Sequence, residues 1–470
     1  MLAWLTACVA SVGMAATVEF RGTHRDALHG IVAAGWTALR AALAAADRHL
    51  PRFVTREVEG YLGCGDFARG FAWLNCADCD THRMVPFSCK GRGFCPACGG
   101  RRMADTAAHW LDRVLPRAPY RQWVLTVPWP RRRLLARNPH LASGVLRIAM
   151  DEVRRFYREA VGRPDGEGGS VTAQQRFGSA LQLNLHFHAL TLDGVYVRAP
   201  DGRLSFRKAA PRTEDVGRIV ARIAERAEAF LAREGFPAAE APEEDDDDTL
   251  ALFHAASLQR KQAMGPRAGR TVRTTQVLGG REVALPPLCA AVDGYNLHAG
   301  VAVRASERDL LERVCRYLLR PPLAKGRLTQ REDGTVELRM RRAFYDGTVS
   351  LLFAPMEFVE KLCAIVPPPR ANTVSYAGVF GGNHRWRREV IPPPPRTPRD
   401  RRPLSRGPTK RATNPDRSTW AELLKRVFGK DGWACEVCAK PMTLRALVVN
   451  PPATTRIVRG LHVATGPPTP

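Results

Sequence analysis

The stretch LQLNLHFHALTLDGVYV, from Leu181 to Val197, says most about the fold. Apolar and polar residues alternate over its first eight positions and the next four are mostly apolar, so alternation and apolar content together predict a β-strand over 181–192. The turn dipeptide Asp193-Gly194 follows, and the residues after it are again strand-like, so the pattern predicts a β-hairpin. Because side chains alternate along a strand, His186 and His188 project from one face and the intervening phenylalanine from the other.

The pair His186 and His188 has two interpretations. Two ring nitrogens about 7 Å apart along one strand can share a divalent cation. The alternative is a strand that carries two satisfied histidines. Asn184 lies on the same face, and either Asn184 or the more distant His298 would supply a third ligand. The residues alone do not choose between these two.

Cysteine usage indicates metal in a reducing compartment, because twelve cysteines in 470 residues are too few for a disulfide scaffold and six of them lie within 35 positions. Two Cys-x-x-Cys pairs fifteen residues apart match the spacing of a four-thiolate Zn²⁺ site: Cys76, Cys79, Cys95 and Cys98. Such an ion would contribute folding energy to a module with few large apolar residues. Cys64 and Cys89 are either buried thiols, which we favour, or part of a second site with His82.

A later amphipathic helix is predicted from Glu307 to Leu319. Its sequence places Arg313 four residues before Tyr317 and Arg320 three residues after it, so that a phenol is flanked by two guanidiniums on one ridge. A tyrosine hydroxyl can attack a phosphodiester while arginines neutralise the non-bridging oxygens. The plainer interpretation is that Tyr317 borders the apolar face and packs its ring against the core.

The charge balance points to a polyanionic partner. Against 46 acidic residues there are 71 Lys and Arg, a net charge of +25 and a pI near 10.3, and nucleic acid is the leading candidate. The hydrophobic fraction of 45% and charged fraction of 25% exclude a collagen-like, a wholly disordered or a polytopic membrane protein. Three aromatic residues are candidates for stacking on bases: Trp123, Trp129 and Phe187.

The first eighteen residues are uncharged, and Met14-Ala15-Ala16 resembles a signal-peptidase site. No basic residue precedes this apolar run, and polar residues dilute it, so we interpret it as an N-terminal extension rather than a signal or an anchor. We therefore expect no membrane association and a cytoplasmic protein that is associated with the nucleoid through DNA.

Strand-like and helical segments alternate irregularly, which predicts a mixed α+β fold with an antiparallel sheet in its core. The predicted helices span 103–114, 145–161 and 216–231, and the predicted strands include 122–127, 296–303 and two within 336–353. The expected organisation is an extension (1–56), a zinc-binding domain (57–105), a core (106–370), a basic disordered linker (384–418) and a C-terminal segment (419–470).

Several motifs in order carry a resemblance to a known family: FSCKGRGFCPACGGRRMADTAAHWLDRVLP, YRQWVLTVPWP, QRFGSALQLNLHFHALTLDGVYV, VDGYNLHAGVAV, LERVCRYLLRPPLAKGRL and DGTV. From about Tyr61 to Pro369 the chain closely resembles the rolling-circle transposases of the insertion-sequence-91 family, whose core is a single-strand nuclease. The resemblance implies that His186 and His188 bind a catalytic Mg²⁺ or Mn²⁺ and that Tyr317 is the nucleophile. It also implies that the cysteine module is a zinc-binding domain that contacts DNA.

The chain departs from that family in three places. Arg313 occupies the position of a second tyrosine found in some members, so this chain resembles the single-tyrosine subgroup. A segment usually rich in tryptophan reads Ala343-Phe344-Tyr345, where Tyr345 is a less favoured alternative nucleophile. Cys435-x-x-Cys438 resembles half of a terminal zinc ribbon, and a lone pair cannot close a tetrahedral site, which leaves it structural or vestigial.

The function predicted from these features is nicking and rejoining of single-stranded or hairpin DNA through a 5′-phosphotyrosine intermediate. One rival is a non-catalytic zinc-module DNA-binding protein, or an inactive transposase remnant. Another is a zinc hydrolase, which would lack an acidic residue beside the histidines and would leave the net charge of +25 unexplained. The DNA sequence recognised and the oligomeric state are not read from the residues.

Overall fold

The computed structural model describes residues 27–237, 248–276, 285–323, 326–344, 346–391 and 431–460. Its α-helices are α1 Ala27–Ala45, α2 Arg52–Leu62, α3 Pro96–Arg113, α4 Trp129–Arg137, α5 Pro139–Ala160, α6 Thr213–Arg233, α7 Thr249–Leu258, α8 Arg308–Leu318, α9 Pro355–Ile365, α10 Arg387–Val390 and α11 Pro451–Gly460. Its strands are β1 Phe71–Asn75, β2 His82–Pro86, β3 Tyr120–Thr126, β4 Gly169–Phe177, β5 Leu183–Leu192, β6 Gly194–Arg198, β7 Leu204–Lys208, β8 Arg273–Gln276, β9 Cys289–Val292, β10 Tyr295–Val303, β11 Leu328–Gln330, β12 Val336–Arg339, β13 Thr348–Phe353, β14 Val374–Gly378 and β15 Thr443–Val448. The predicted α+β class is confirmed.

A six-stranded sheet forms the centre of the molecule. Its strand order is β14-β4-β5-β3-β10-β9, and every neighbouring pair is antiparallel. Strand β5 lies inside the sheet between β3 and β4, where His186 is opposite Thr126 on one side and Gln175 on the other. Paired residues of neighbouring strands point to the same face, so this register places their side chains together.

Helices cover both faces of this sheet. Helices α5 and α6 pack on one face, against buried residues that include Trp123 and Phe187. Helices α3 and α8 pack on the other face, against Leu190 and Leu192 at the end of β5. Because side chains alternate along β5, the two histidines share the face of α8 and not that of α5.

The predicted hairpin between β5 and β6 is wrong. Strand β5 is already paired with β3 and β4, so β6 leaves the sheet and pairs with β7 in a separate two-stranded sheet. The chain diverges at Gly194, which has φ 152° and where a Cβ atom would lie 2.1 Å from the backbone oxygen of Arg207. Asp193 anchors the bend, because its buried carboxylate accepts hydrogen bonds from Arg121 at 2.7 Å and from the Tyr157 hydroxyl at 3.0 Å.

The N-terminal boundary of the predicted organisation is also wrong. Residues 27–56 are not an extension, because α1 packs against α9 in one apolar core. Gly35 lies where α1 meets α9, and a Cβ atom there would come within 2.3 Å of the Pro355 oxygen. In the described part of the chain, α1 alone is long and apolar enough to cross a membrane. Its apolar residues face this core. The uncharged segment before it lies outside the described residues.

The first eight residues of the segment predicted as a basic linker are folded. Residues 384–391 are folded, with the short helix α10 and with Trp386 and Val390 buried beside Phe380. Apolar burial therefore holds a segment whose composition suggested disorder. The rest of the linker and a helix predicted over 420–428 lie outside the described residues. The other predicted helices and strands that fall on described residues are confirmed. Helices α3, α5 and α6 begin earlier than predicted, at Pro96, Pro139 and Thr213, and α8 begins one residue later, at Arg308.

Two smaller sheets complete the fold. One has the order β11-β12-β13-β8 and packs into the apolar core shared by α1 and α9. The other has the order β15-β1-β2 and joins the C-terminal strand to two strands near the N-terminus.

Candidate active site and metal centres

His186, His188 and Tyr317 lie together at one end of the central sheet. The ring centroids of the two histidines are 4.8 Å apart, and those of His188 and Tyr317 are 5.6 Å apart with an interplanar angle of 89°. Both imidazoles are buried, whereas Tyr317 is 42% exposed. The structure therefore brings together the three rings that the sequence analysis expected to meet. Their catalytic roles remain predictions at this point.

Helix α8 holds Tyr317 in place through its apolar face. Four residues of that face are buried against the sheet and α3: Leu311, Val314, Cys315 and Leu318. At the start of α8, Arg308 donates hydrogen bonds to the backbone oxygen of Leu111 at 2.7 Å and to that of Leu115 at 3.1 Å. These bonds tie α8 to the C-terminal end of α3, where backbone oxygens need donors.

Gln175 on β4 fastens the other end of α8. Its amide nitrogen donates to the backbone oxygen of Leu318 at 2.7 Å and to that of Tyr317 at 3.3 Å. Since Gln175 is also the neighbour of His186 across the strands, a single side chain links the histidine strand to the tyrosine helix.

Guanidinium groups surround the phenol and the imidazoles. Arg320 lies with its Cζ atom 4.4 Å from the centroid of the Tyr317 ring. Burial lowers the pKa of His186 to about 4, and the nearby charges of Arg320 and Arg132 act in the same direction. Burial also lowers the pKa of His188 to about 2, with His186 and Arg320 contributing. Both imidazoles are therefore neutral at neutral pH, which is the form that binds metal ions.

The donor atoms of this site fit a divalent cation. Nδ1 of His186 lies 2.8 Å from the backbone oxygen of Asn184, so that Nδ1 donates and the Nε2 lone pair is available. Three buried polar atoms nearby on the same sheet face have no hydrogen-bond partner: His188 Nε2, Gln175 Oε1 and Asn184 Oδ1. Buried polar atoms are rarely left unpaired, and a cation with nitrogen and oxygen ligands would satisfy them.

The remaining predicted site residues are His298, Arg313 and Tyr345. His298 faces the same side of the sheet, but strand β3 separates it from β5, because Val124 is paired with both His188 and His298. Among the described residues, no group of three His, Cys, Asp or Glu side chains that includes His298 has its ligand atoms within 4.8 Å of one another. Arg313 is exposed one turn before Tyr317. Tyr345 lies outside the described residues.

Sequence reasoning missed two glutamines that support the site, Gln175 and Gln122. Nε2 of Gln122 lies 2.9 Å from Nδ1 of His188. When the Gln122 amide is rotated by 180°, its oxygen faces Nδ1 of His188 and accepts a hydrogen bond from it. The proton then stays on Nδ1, and Nε2 of His188 is free to bind a metal ion. Both glutamines occupy strands that flank β5, so only the strand pairing, not local spacing, would have identified them. Of the three aromatics proposed to stack on bases, only Trp129 is exposed.

The cysteines form two groups of four, and the predicted grouping is wrong. Cys95 and Cys98 do not join Cys76 and Cys79; the first group is instead Cys64, Cys89, Cys95 and Cys98. Three of its sulfur–sulfur separations are 3.4, 3.8 and 4.0 Å, and all four sulfurs lie within 4.8 Å of one another. Such separations are expected when four thiolates surround one ion with Zn–S bonds of about 2.3 Å. Cys64 and Cys89 are therefore part of this cluster, while His82 belongs to neither group.

Local structure presents these sulfurs to one another. Cys64 follows α2, and Cys95 and Cys98 begin α3, where Pro96 occupies the first helical position. Backbone amides also donate to sulfur, from Cys89 to Cys64 at 3.2 Å and from Gly91 to Cys89 at 3.3 Å. The donor set is that of a closed structural zinc site.

The second group joins the two ends of the chain: Cys76, Cys79, Cys435 and Cys438. The Cys76 and Cys438 sulfurs are 3.4 Å apart, and those of Cys79 and Cys435 are 3.5 Å apart. The C-terminal pair, which appeared unable to close a site, therefore meets a second pair.

Two models of known protein families match the chain. Residues 31–127 match the family model described as "Transposase zinc-binding domain". Residues 169–388 match the family model described as "Putative transposase". The first match contains six of the clustered cysteines, and the second contains both histidines and Tyr317. Comparisons with curated proteins and with solved structures returned no match.

Proposed function

The chain belongs to the transposases of the insertion-sequence-91 type, and on this premise we propose that it cuts and rejoins single-stranded DNA through a covalent bond to Tyr317. The observation that carries the proposal is the contact between the Tyr317 and His188 rings, whose centroids are 5.6 Å apart. A nucleophile, a pair of neutral imidazoles and a guanidinium converge on a space that solvent reaches. This is the set of groups that attack on phosphorus requires.

Tyr317 would act as the nucleophile. Its hydroxyl oxygen forms a bond to phosphorus while the bond from phosphorus to the 3′ oxygen breaks, and the phenolic proton leaves to solvent on the exposed side of the ring. The products are a 5′-phosphotyrosine and a free 3′-OH. Arg320, stacked on the same ring, would contact the non-bridging oxygens and offset the charge that develops on them.

His186 and His188 would hold the catalytic Mg²⁺ or Mn²⁺, with Gln175 or Asn184 supplying an oxygen ligand. A bound divalent cation would polarise the scissile phosphate and stabilise the leaving oxygen. Gln122 and the Asn184 carbonyl would fix the protonated nitrogen of each ring, so that the lone pairs point into the site.

Rejoining is the same reaction in reverse. A 3′-OH attacks the phosphotyrosine, forms the new phosphodiester and returns the phenol of Tyr317. The number of phosphorus–oxygen bonds is unchanged, so strand transfer requires no external energy source.

DNA is the partner of a transposase, and the positive charge of the chain suits it. The net charge of +25 would give salt-sensitive binding with little sequence preference. We propose single-stranded or hairpin DNA as the substrate, because a tyrosine on an exposed helix end accepts one strand without a second catalytic centre.

The test is a search for a covalent adduct. Protein is incubated with a mixed-sequence single-stranded DNA library labelled at its 3′ end, with Mg²⁺ or Mn²⁺, and resolved in SDS. We expect a labelled protein band with the wild-type chain and with Tyr345→Phe, and no band with Tyr317→Phe or with His188→Ala. Tyr317→Phe should still bind DNA. An adduct formed by Tyr317→Phe would refute the nucleophile, and no adduct from the wild-type chain would favour a non-catalytic DNA-binding protein.

A further inference from the structure

We propose that the second cysteine group binds its own Zn²⁺ and that this ion fastens the C-terminal segment 431–460 to the N-terminal module of the same chain. The segment contains β15, α11 and the pair Cys435 and Cys438. The site lies apart from the His186 and Tyr317 centre, so it stands or falls independently of the nicking chemistry.

The sulfur geometry is that of a metal site and not of disulfides. Four thiolates around Zn²⁺, each about 2.3 Å from the ion, lie about 3.8 Å from one another in a tetrahedron. The observed separations of 3.4 Å and 3.5 Å are near that value and well above the S–S bond of about 2.05 Å. All four sulfurs lie within 4.8 Å of one another, which two separate disulfides would not require.

Each half of the site is a turn that offers only two ligands. Cys76 and Cys79 lie in the turn between β1 and β2, where the Cys76 amide donates to the Thr81 oxygen at 2.9 Å. Cys435 and Cys438 lie in a similar turn, where the Cys435 amide donates to the Lys440 oxygen at 2.8 Å. A closed structural zinc site takes four protein ligands, so neither turn completes one alone.

Strand pairing and side-chain hydrogen bonds bring the two turns together. Strand β15 pairs with β1 over five residues, from Phe71 opposite Val448 to Asn75 opposite Thr443. Gly70, with φ 113°, lets the Val448 oxygen approach to where a Cβ atom would be only 2.7 Å away. Arg83 donates to the backbone oxygens of Gly432 at 3.2 Å and Ala434 at 3.0 Å.

These contacts are too few to hold the segment without the ion. Among the described side chains, those buried and apolar beside the cysteines are Leu74 and Met442, and a second small group surrounds Phe71 and Ile457. Much of β15 faces solvent, with Leu447 60% exposed. A region of this size rarely supplies enough apolar burial for independent stability, and metal binding replaces it. Zinc is therefore the main force that retains the C-terminal segment.

The experiment separates the segment from the rest of the full-length chain. A specific protease site is inserted after Arg406, the protein carries an N-terminal tag, and zinc is counted before cleavage. We expect two zinc ions per wild-type chain and retention of the cleaved C-terminal fragment on the tag resin. Chelation of the cleaved protein should release the fragment.

Variants identify which cysteines retain it. Cys438→Ser and Cys79→Ser should each lower the zinc content from two to one and release the fragment after cleavage, although they change opposite ends of the chain. Cys289→Ser, a cysteine outside both groups, should keep two ions and the fragment. A wild-type chain with one zinc ion, or a fragment retained by both variants, would overturn the proposal. Circular dichroism distinguishes fragment release from unfolding of the whole protein.

Discussion

The Tyr317 ring stands edge-on to the His188 ring, with their centroids 5.6 Å apart and their planes at 89°. The two residues are 129 positions apart and come from a helix and an interior strand. Their contact depends on the packing of α8 against the sheet and on the bonds that fix the two ends of that helix.

Removal of the Gln175 side chain should slow adduct formation without weakening DNA binding. Gln175→Ala leaves the backbone oxygen of Leu318 without this donor, and a buried unpaired group costs about 1–3 kcal/mol. The backbone oxygen of Tyr317 loses one donor and keeps the Arg320 amide at 3.4 Å. The helix end would relax by moving the phenol, so we expect a fall of about tenfold or more in the single-turnover rate.

The matched control is Gln174→Ala. Gln174 is the adjacent residue on β4 and points to the opposite face of the sheet, so its substitution should leave the rate near wild type. An equal loss in both variants would mean that β4 matters only for general stability, and would contradict a positioning role for Gln175.

A methyl group added at residue 99 should also displace Tyr317, through the end of α8. Gly99 on α3 lies against Pro321, just beyond the end of α8, and a Cβ atom there would be 2.7 Å from the Pro321 Cβ. Gly99→Ala must push the two segments apart, so we expect adduct formation to fall several-fold while zinc content stays the same.

Gly100→Ala provides the comparison, because a Cβ atom at that position meets nothing within 4 Å. Alanine is the better helix former by about 0.5–1 kcal/mol, so this variant should be as active as wild type and slightly more stable to heat. Equal activity of the two variants would show that the contact between Gly99 and Pro321 does not control the position of Tyr317.

DNA binding should weaken steeply as salt is added. Each phosphate contact made by Lys or Arg releases a counterion, so the logarithm of the affinity falls in proportion to the logarithm of salt concentration. With a net charge of +25, we expect a large slope in fluorescence anisotropy measurements with single-stranded DNA. Helical content measured by circular dichroism should not change over the same range. A flat salt response would contradict electrostatic binding.

Acid should destabilise the protein through His254 on α7. Burial, followed by the charges of Arg176, Arg137 and Arg133, lowers the pKa of His254 well below its usual value of 6.5. The unfolded chain therefore binds a proton that the folded chain refuses. The contribution of His254 to the free energy of unfolding is fully present above pH 6.5. It is lost as the pH drops below 6.5, by up to about 1.4 kcal/mol per pH unit.

The measurement is urea unfolding at pH 7.5, 6.0 and 5.0. His254→Gln cannot take up the proton, so its free energy of unfolding should fall less between pH 7.5 and 5.0 than that of the wild-type chain, whatever its absolute value at pH 7.5. His140→Gln, at an exposed histidine, should follow the wild-type curve. Parallel curves for the wild-type chain and His254→Gln would show that His254 takes no part in acid unfolding.

Local patterns were sufficient for the individual elements of the site. Alternation places His186 and His188 on one face of a strand, and helical periodicity places Tyr317 at the edge of an apolar face, whatever the rest of the chain does. The same reasoning failed for the hairpin after Leu192, because turn chemistry does not reveal that both edges of β5 are already occupied. It also missed Gln122 and Gln175, which flank the histidines through strand pairing alone.

The cysteines show most clearly which features follow from the sequence and which depend on the tertiary structure. The sequence by itself predicted metal at the pairs Cys76–Cys79 and Cys95–Cys98, because two sulfurs three residues apart fit one ion, and it established the excess of positive charge. Which turn joins which was decided only by the tertiary structure. Cys79 and Cys435 are 356 positions apart, and their sulfurs meet at 3.5 Å only because β15 pairs with β1. A local spacing limits what a segment can bind, while its partner depends on how the whole chain packs.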